Sequence, residues 1–416
     1  MTENKKVAYF IWHFPRLTET FILREMLSLR EVGIDIQVFA FMRPVPSATM
    51  HPQVERMMPY VHYSPFLFSQ KLILAQFYFL FHSPLKYFQT LWMAIWQTHL
   101  ELADLGKILL IFPKTVYFAK QLQEMKIDHI HAHFVAMAGI AAQIASNLTG
   151  IPFSLHAHAY DIFQRNQECV RRQLSLAGGV VTISEYHRLY ISNLCPRWRP
   201  EEIPIIHCGL DTDEFVPDHI HTTDQVTRII SVGSLIEKKG HKYLIEACNL
   251  LASKGYNFIC SIIGNGPLYY DLQSQINKYG LQDRILLLGA KNQTQVKDQY
   301  RQSDIFVLAC TVARSGDKDG IPVALMEAMS MQIPVISTQV SGIPELIANG
   351  ETGLLVPERD SIALAQAIEL LINNQSLRRE LGMQGRQSIL AGFEIHHTSA
   401  QMASFFENFH NPSKTV

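Results

Sequence analysis

The chain lacks a surplus of charge of either sign. Its 36 lysines and arginines nearly balance its 37 aspartates and glutamates, which leaves a formal net charge of −1. A protein without a basic surplus has no electrostatic field that would recruit nucleic acid, so nucleic acid is not an expected partner. The sequence also contains no internal repeat and no low-complexity tract.

Two short motifs that would point to other chemistry are missing as well. The six cysteines show no C-x-x-C spacing, which favours a reducing, cytoplasmic compartment. They are Cys169, Cys195, Cys208, Cys248, Cys260 and Cys310. No G-x-G-x-x-G follows the first strand, so a nicotinamide dinucleotide fold is not indicated.

Long apolar runs are missing too. Met1–Lys6 leads straight into a short apolar strand, Val7–Trp12, and this is not the pattern of a secretory signal. The most apolar region is interrupted by Ser69-Gln70-Lys71 and by Gln76. Because a membrane-spanning helix needs about 20 apolar residues, none is expected.

The chain is nevertheless hydrophobic enough for two cores, with 416 residues of which 48% are hydrophobic. It opens with the strand Val7–Trp12, a helix from Thr18 to Arg30 and the strand Ile36–Phe41, a βαβ order that predicts a parallel sheet. Strand–helix units recur after Arg228 and predict a second parallel sheet, with ligands at the carboxyl ends of its strands.

The stretch Ser315–Thr338 carries the most chemistry. A polar loop that ends at Gly320 runs through Ile321 into an apolar helix, and a strand follows. The free amides at a helix start, here those of Val323 and Ala324, can bind phosphate, and a glycine lets the backbone approach the ligand. Asp319 and Glu327 lie eight positions apart around this turn. Amides for phosphate and carboxylates for hydroxyls together predict a sugar-nucleotide site.

This stretch resembles the E-x7-E signature of the family-4 retaining glycosyltransferases. Asp319 stands at the first glutamate of that signature and Glu327 at the second. Gly320-Ile321-Pro322, Glu327-Ala328-Met329 and Pro334–Thr338 match its flanks. The alternative is that Asp319 caps the helix and Glu327 faces solvent.

The resemblance extends over nearly the whole chain and implies an α/β protein of two facing Rossmann-like domains, the GT-B fold, with the active site in the cleft between them. The expected parts are an N-terminal acceptor-side domain 1–210, a hinge 211–227, a nucleotide-sugar-binding domain 228–395 and a C-terminal helix 396–416 that crosses back to the first domain.

A second segment of the C-terminal half resembles the family phrase VGRLxxxKG. It runs from Val232 through Gly233 and Ser234 to Lys239 and Gly240. The resemblance implies that Gly233, Ser234 and Lys239 contact the donor diphosphate. Ser234 stands where the family has arginine, so one cation is missing. Either Lys238 or Arg314 compensates, or the affinity for the donor is lower.

Histidines cluster on two predicted neighbouring strands. His129, His131 and His133 share one face of the first strand, and His156 and His158 follow the next. Such a set could bind zinc. It also matches the HxHF and HGxD phrases of the family, which implies an active-site role for His158, a loop-steadying role for Asp161 and no metal. His129 and His131 can instead be core residues.

The phrase Phe14–Ile22 resembles the FPxxSETFI loop of family members that assemble exopolysaccharides, where it lies near the acceptor. This resemblance implies that Thr20 contacts substrate. The same residues also fit a helix capping box at Thr18 and Glu19 followed by an ordinary amphipathic helix, and both interpretations remain open.

Residues 57–118 predict helices dense in aromatic side chains and broken by Pro65, Pro84 and Pro113. Two interpretations are possible. The segment is a helical insert packed on the first domain, or it is a surface that rests in the bilayer interface and receives a lipid-linked acceptor.

The function implied is transfer of a hexose from a nucleotide-diphosphate sugar, with UDP as the expected nucleotide, and with retention of anomeric configuration and no metal. Lys239 and the Val323 and Ala324 amides would hold the diphosphate, Glu327 the ribose and Asp319 the sugar. His158 would contact the sugar from the first domain.

The acceptor would be a glycan or a polyprenyl-linked oligosaccharide of exopolysaccharide biosynthesis, met in the cytoplasm or at the inner face of the membrane. Because Ser234 and Asp319 depart from the family pattern, the alternative is a catalytically weak sugar-nucleotide-binding or scaffold protein. A sugar-nucleotide epimerase of the same architecture is disfavoured by the family-4 phrases.

Overall fold

The computed structural model of the chain describes residues 5–16, 19–43, 53–96, 102–218 and 226–409. They form two compact units. Unit 1 contains the chain up to Ile183, His187–Ile206 and the chain from Ser399 onward, and unit 2 contains Ser184–Tyr186 and His207–Thr398. Residues 219–225 of the predicted hinge lie outside the described residues.

Each unit is built on one sheet. In unit 1 the strands are β1 Lys6–His13, β2 Asp35–Met42, β3 Val61–Tyr63, β4 His129–His133, β5 Phe153–Ala157 and β6 Gly179–Thr182. Those of unit 2 are β7 Thr227–Val232, β8 Phe258–Ile263, β9 Ile285–Leu287, β10 Ile305–Val307, β11 Val335–Thr338 and β12 Leu354–Val356.

Both sheets are parallel and six-stranded in the part of the chain that the structure describes, so the predicted α/β class is confirmed. The orders are β3-β2-β1-β4-β5-β6 and β12-β11-β10-β7-β8-β9. In each sheet the chain first winds one way and then returns to the other side of the first strand. The switch points, where such sheets bind ligands, lie between β1 and β4 and between β7 and β10.

Helices connect and cover the strands. They are α1 Thr20–Glu31, α2 Val54–Met57, α3 Gln70–His82, α4 Pro84–Trp96, α5 Leu102–Glu124, α6 Met137–Thr149, α7 Ala159–Gln164, α8 Gln167–Leu176, α9 Glu185–Leu194, α10 His241–Ser253, α11 Tyr269–Tyr279, α12 Gln293–Arg301, α13 Val323–Ser330, α14 Ile343–Leu346, α15 Ser361–Asn373, α16 Gln375–Gly392 and α17 Ile395–Glu407. None of these helices is long and apolar enough to cross a membrane, as far as the described residues show.

The cores lie on the two faces of each sheet. Strands of parallel sheets are covered on both faces, which explains why β1, β4 and β5 are buried almost throughout. The C-terminal helix α17 contributes Met402, Ala403 and Phe406 to a core of unit 1 that also contains Tyr9 and Val38.

One detail differs from the sequence-based expectation. Pro113 does not break a helix but lies inside α5, where the burial of Ile111, Phe112 and Val116 outweighs the hydrogen bond that proline removes. The segment Ile203–Asp211 pairs with β6 through one bridge, at Ile205.

Candidate functional site

A cluster of charged side chains lies at the switch point of unit 2. The loop after β7 includes a short 3-10 turn, Glu237–Lys239, and the loop after β10 runs to α13. Because β7 and β10 are neighbours in the sheet, both loops start at the same edge. Gly240 makes their close approach possible. A Cβ there would lie 1.7 Å from the carbonyl oxygen of Ala309, and its φ is +66°.

Lys239 and Asp319 form the central ion pair of this site. Lys239 Nζ lies 2.8 Å from Asp319 Oδ2, and the two side chains are only 15% and 12% exposed. Burial opposes the charge of Lys239, but Asp319 outweighs it and raises the pKa of the ammonium group. Burial likewise opposes the charge of Asp319, and Lys239 with Lys238 lowers its pKa. Both groups are therefore charged at neutral pH.

A second pair extends the cluster. Lys238 Nζ lies 3.1 Å from Asp317 Oδ1 and 3.6 Å from Asp319 Oδ1. Arg314, by contrast, is 91% exposed and its Nε is 3.9 Å from Glu237. The geometry therefore favours Lys238 over Arg314 as the cation that takes over from the missing arginine at Ser234.

Cys310 and His241 complete the surroundings of the pair, and sequence reasoning missed both. Cys310 Sγ lies 3.4 Å from Asp319 Oδ2, and burial and then the Asp319 charge raise the pKa of the thiol. The thiol thus stays protonated and can donate to the carboxylate. Burial and the Lys239 charge lower the pKa of His241 to about 4, so its ring is neutral.

Gly233 and Ser234, which were predicted to contact the donor, lie in the same loop as Lys239. A Cβ at Gly233 would lie 3.3 Å from Lys239 Cδ, so the glycine leaves room for the lysine stem. Ser234 is half-buried. Their roles in donor binding remain predictions.

Helix α13 begins where the predicted phosphate site was placed. Pro322 is its N-cap, and Val323 and Ala324 form its first half-buried positions. The amides of a first helical turn have no acceptor within the helix and carry its positive dipole end. Gly320 and Ile321 precede them and are buried.

Glu327 follows one turn later on α13 and is half-buried. The hydroxyl of Tyr300 donates to Glu327 Oε2 at 3.2 Å. Tyr300 is fully buried, and burial and the Glu327 charge raise its pKa well above the usual value. This contact orients the carboxylate. Sequence reasoning missed Tyr300 because it lies on α12, far from the motif.

In unit 1 the predicted His158 is buried at the N-terminus of α7. Its backbone N–H donates to Asp161 Oδ1 at 2.9 Å, and Asp161 also accepts from the backbone N–H of Val135. Asp161 thus ties the loops after β4 and β5 together. Burial outweighs these hydrogen bonds and raises the pKa of Asp161 to about 7.

A chain of buried polar contacts leads from His158 into the sheet. His158 Nε2 lies 3.1 Å from His133 Nδ1, and His133 Nε2 lies 3.0 Å from Glu25 Oε1. Tyr9 donates its hydroxyl to the same carboxylate at 2.7 Å. This chain runs through the β1–β4 switch point. Glu25 was not singled out from sequence, because nothing in an amphipathic helix marks one acid as buried.

The histidines could also hold a metal ion. Glu25, His131, His133 and His156 each offer a ligand atom, all within 4.8 Å of one another. Burial and then neighbouring histidines hold the pKa values of His131 and His156 well below the usual value, so both rings are neutral. Neutral imidazoles suit a transition metal and equally suit a buried hydrogen-bonded cluster.

His129 and His131 share a single partner. The hydroxyl oxygen of Ser154 lies 2.7 Å from His129 Nε2 and 2.8 Å from His131 Nδ1. Both rings are fully buried. His129 therefore belongs to the core, as one interpretation of the sequence expected.

The predicted acceptor-loop residue Thr20 is the first residue of α1 and is half-buried. Glu19 is the N-cap of α1 and makes no side-chain capping hydrogen bond, while the Thr18 part of the predicted capping box lies outside the described residues. Glu19 instead pairs with Arg16 at 2.9 Å. Leu17 and Thr18 lie outside the described residues.

Two family models match adjoining parts of the chain. "Glycosyltransferase Family 4" matches residues 98–214 and "Glycosyl transferases group 1" matches residues 215–388. The chain is 29% identical over 418 residues to the amylovoran biosynthesis glycosyltransferase AmsK of Erwinia amylovora, covering 97% of this chain and 99% of that protein. It is also 29% identical to the colanic acid biosynthesis glycosyltransferase WcaL of Salmonella typhimurium, with the same coverage.

Solved structures share the fold. The Anabaena protein Alr3699/HepE in complex with UDP and glucose superposes with a TM-score of 0.71 at 16% identity, covering 97% of this chain and 100% of that one. A glycosyltransferase from Rickettsia africae gives a TM-score of 0.71 at 17% identity, with 98% of each chain covered. The fold of these neighbours is GT-B, as predicted.

Proposed function

The chain belongs to the glycosyltransferases of these two matching families, and we propose that it transfers a hexose from a nucleotide-diphosphate sugar, UDP being the expected nucleotide. The observation that carries this proposal is the cluster of Lys238, Lys239 and Asp319 at the switch point of unit 2, in the loops that lead to α13. A relative that shares the fold binds UDP and glucose, and this supports the choice of donor.

Charge balance explains how the donor would be held. The two lysines are neutralised by Asp317 and Asp319. A diphosphate would compete for the lysines and would also meet the Val323 and Ala324 amides at the start of α13. As the sugar departs, negative charge grows on the leaving phosphate. Lys239 and the Val323 and Ala324 amides would stabilise that charge in the transition state.

The carboxylates would select the rest of the donor. Glu327, oriented by Tyr300, would accept hydrogen bonds from the ribose hydroxyls. Asp319 would bind hydroxyls of the transferred sugar, which requires it to share its oxygens with Lys239. Being shorter than glutamate, Asp319 demands a closer approach of the sugar. His158 of unit 1 would contact the same sugar.

The transfer would proceed with retention and without a metal ion. The bond between the anomeric carbon and the phosphate oxygen breaks, and the acceptor hydroxyl forms its bond on the same face. The acceptor proton passes to the leaving phosphate, so no separate general base is nominated. Lys238 and Lys239 would supply the positive charge that a divalent cation provides in other phosphate sites.

The names of the relatives suggest the pathway. AmsK is named for amylovoran biosynthesis and WcaL for colanic acid biosynthesis. The similarity of this chain to each of them covers 99% of the relative. We therefore place this chain in exopolysaccharide biosynthesis, acting in the cytoplasm or peripherally at the inner face of the membrane. Its acceptor would be a glycan or a polyprenyl-linked oligosaccharide.

The test is a transfer assay with UDP-glucose, UDP-galactose and GDP-mannose and an extract of lipid-linked acceptors. Nucleotide release and the anomeric proton coupling of the product are followed by NMR, with and without chelator. We expect one donor to be consumed with retained configuration, indifferent to chelator. Donor binding without any turnover would favour the alternative of a sugar-nucleotide-binding scaffold, and an inverted product would refute the proposed mechanism.

A further inference from the structure

Helix α3 is apolar on both of its faces. Leu72, Ala75 and Phe79 are buried against unit 1. The opposite side carries an exposed apolar stripe of Ile73, Leu74, Phe77 and Phe81, which are 43–79% exposed. A surface helix normally turns polar residues to solvent, so a helix with large apolar side chains on its outward side as well as its buried side indicates a second non-aqueous contact.

Helix α4 repeats this pattern. Its buried residues are Thr90 and Ala94. Four large apolar side chains spaced by three or four positions form an outward stripe that is 58–77% exposed: Leu85, Phe88, Trp92 and Trp96. Phe66 and Phe68, which precede α3, are each 92% exposed. We call these two residues and the outward stripes of α3 and α4 the outer aromatic surface.

The segment that forms the outer aromatic surface carries charge of one sign. From Arg56 to Leu100 the sequence contains no aspartate or glutamate, although the whole chain has a net charge of −1. Lys71 and Lys86 of this segment are exposed on α3 and α4. An apolar face that carries exposed lysines complements a bilayer that contains anionic lipids.

The helices are too short to cross that bilayer. Both α3 and α4 have 13 residues, so each is about 20 Å long against a hydrocarbon core of about 30 Å. No helix among the described residues meets the length and hydropathy of a membrane span. Tryptophan is enriched at the membrane–water interface, and helices that lie in this interface carry Trp, Phe and Leu on their apolar face.

We propose that the outer aromatic surface docks unit 1 on the interface of an anionic phospholipid bilayer, with α3 and α4 lying along the membrane rather than across it. The inference rests on the proposed function, since a polyprenyl-linked acceptor is met at such a surface. It goes further by naming the docking residues and the lipid charge. A second copy of the chain is the competing occupant, but it would bring lysines of like charge together.

The experiment is co-sedimentation of the full chain with vesicles of phosphatidylethanolamine and phosphatidylglycerol, and with neutral phosphatidylcholine vesicles. We expect binding to the anionic vesicles that weakens with salt. In the variant Phe66→Ser/Phe81→Ser/Trp92→Ser we expect binding to fall about tenfold or more, because three exposed anchors are lost. Lys71→Glu/Lys86→Glu should reduce binding to anionic vesicles alone.

A control removes three apolar side chains of unit 2 that are also exposed, in the variant Ile362→Ser/Leu370→Ser/Met383→Ser. Its vesicle binding should equal that of the wild type. Nucleotide-induced thermal stabilisation is measured for every variant and should be unchanged, so a failure of donor binding is distinguished from a failure of docking. Wild-type protein that does not co-sediment with anionic vesicles would overturn the proposal. The proposal would also be overturned if the wild type did not bind vesicles but self-associated, and if the Phe66/Phe81/Trp92 variant no longer self-associated.

Discussion

Replacing Asp319 by asparagine tests the charge cluster of unit 2. The substitution keeps the size of the side chain and removes the charge that lies 2.8 Å from Lys239 Nζ, in a pair that is mostly buried. Removing one partner of a buried ion pair costs about 3–5 kcal/mol because the other charge is left uncompensated. We expect the lower end, about 3 kcal/mol, because the nearby charge of Asp317 still favours the charged form of Lys239.

The loss of stability in Asp319→Asn should be visible by differential scanning fluorimetry. For a unit of this size 1 kcal/mol corresponds to about 2–4 °C, so the apparent Tm at pH 7 should fall by about 6–12 °C. The sign of the pH dependence follows from the lowered pKa of Asp319. Its stabilising contribution is present above the usual carboxyl pKa of 3.8 and is lost as the pH falls through the lowered value. Wild type and variant should therefore converge only in strong acid.

Nucleotide should rescue the variant. The diphosphate of UDP would supply the negative charge that Asp319→Asn removes, so saturating UDP should raise the Tm of the variant by more than that of the wild type. Asp317→Asn is the matched control, because Asp317 contacts Lys238 and not Lys239, and its effect should be smaller. A variant as stable as the wild type, or one that gains no more from UDP, would refute the assignment of this cluster to the diphosphate.

Three further predictions concern the other site residues. Glu327→Ala should weaken nucleotide binding about 10- to 100-fold in calorimetry, because it removes the acceptor of the ribose hydroxyls. Tyr300→Phe should weaken it about fivefold, because it removes one hydrogen bond that orients Glu327. A Glu327→Ala variant with the affinity of the wild type would exclude the ribose role. His158→Ala should lower kcat about 100-fold while UDP affinity stays within twofold, and a loss of UDP binding instead would contradict its role on the sugar. Because the pKa values of His131 and His156 are lowered, stability should decrease below pH 6.5 by up to about 1.4 kcal/mol per pH unit for each; urea midpoints that do not change between pH 7.5 and 5.5 would refute the neutral cluster.

Local sequence patterns predicted the fold well where the signal lies within one segment. The loop, helix and strand of Ser315–Thr338 appear as α13 and β11 within a few residues, and the opening βαβ unit appears as β1, α1 and β2. Pro113 was misjudged because the burial that holds α5 together comes from other elements. Pro204 lies in a segment that makes only isolated bridges, since proline has no N–H for a ladder.

The site was predicted only in part for a similar reason. Asp319 and Lys239 were found from their motifs, and the structure brings them into one ion pair although they lie far apart in the chain. Cys310, Tyr300 and Glu25 carry no local signal, because a thiol, a phenol or an acid becomes notable only through the partner that tertiary structure supplies. Such partners cannot be found from spacing alone.

The most direct test of the account is a thermal-shift panel of UDP-, GDP-, ADP- and CMP-sugars with their free nucleotides, on the wild type and on Glu327→Ala, with and without chelator. One nucleotide class, UDP, should stabilise the wild type more than Glu327→Ala at the same ligand concentration, and should do so equally with chelator present. Stabilisation by none of them would contradict a donor site in unit 2, and a shift that chelator abolishes would contradict metal-free binding.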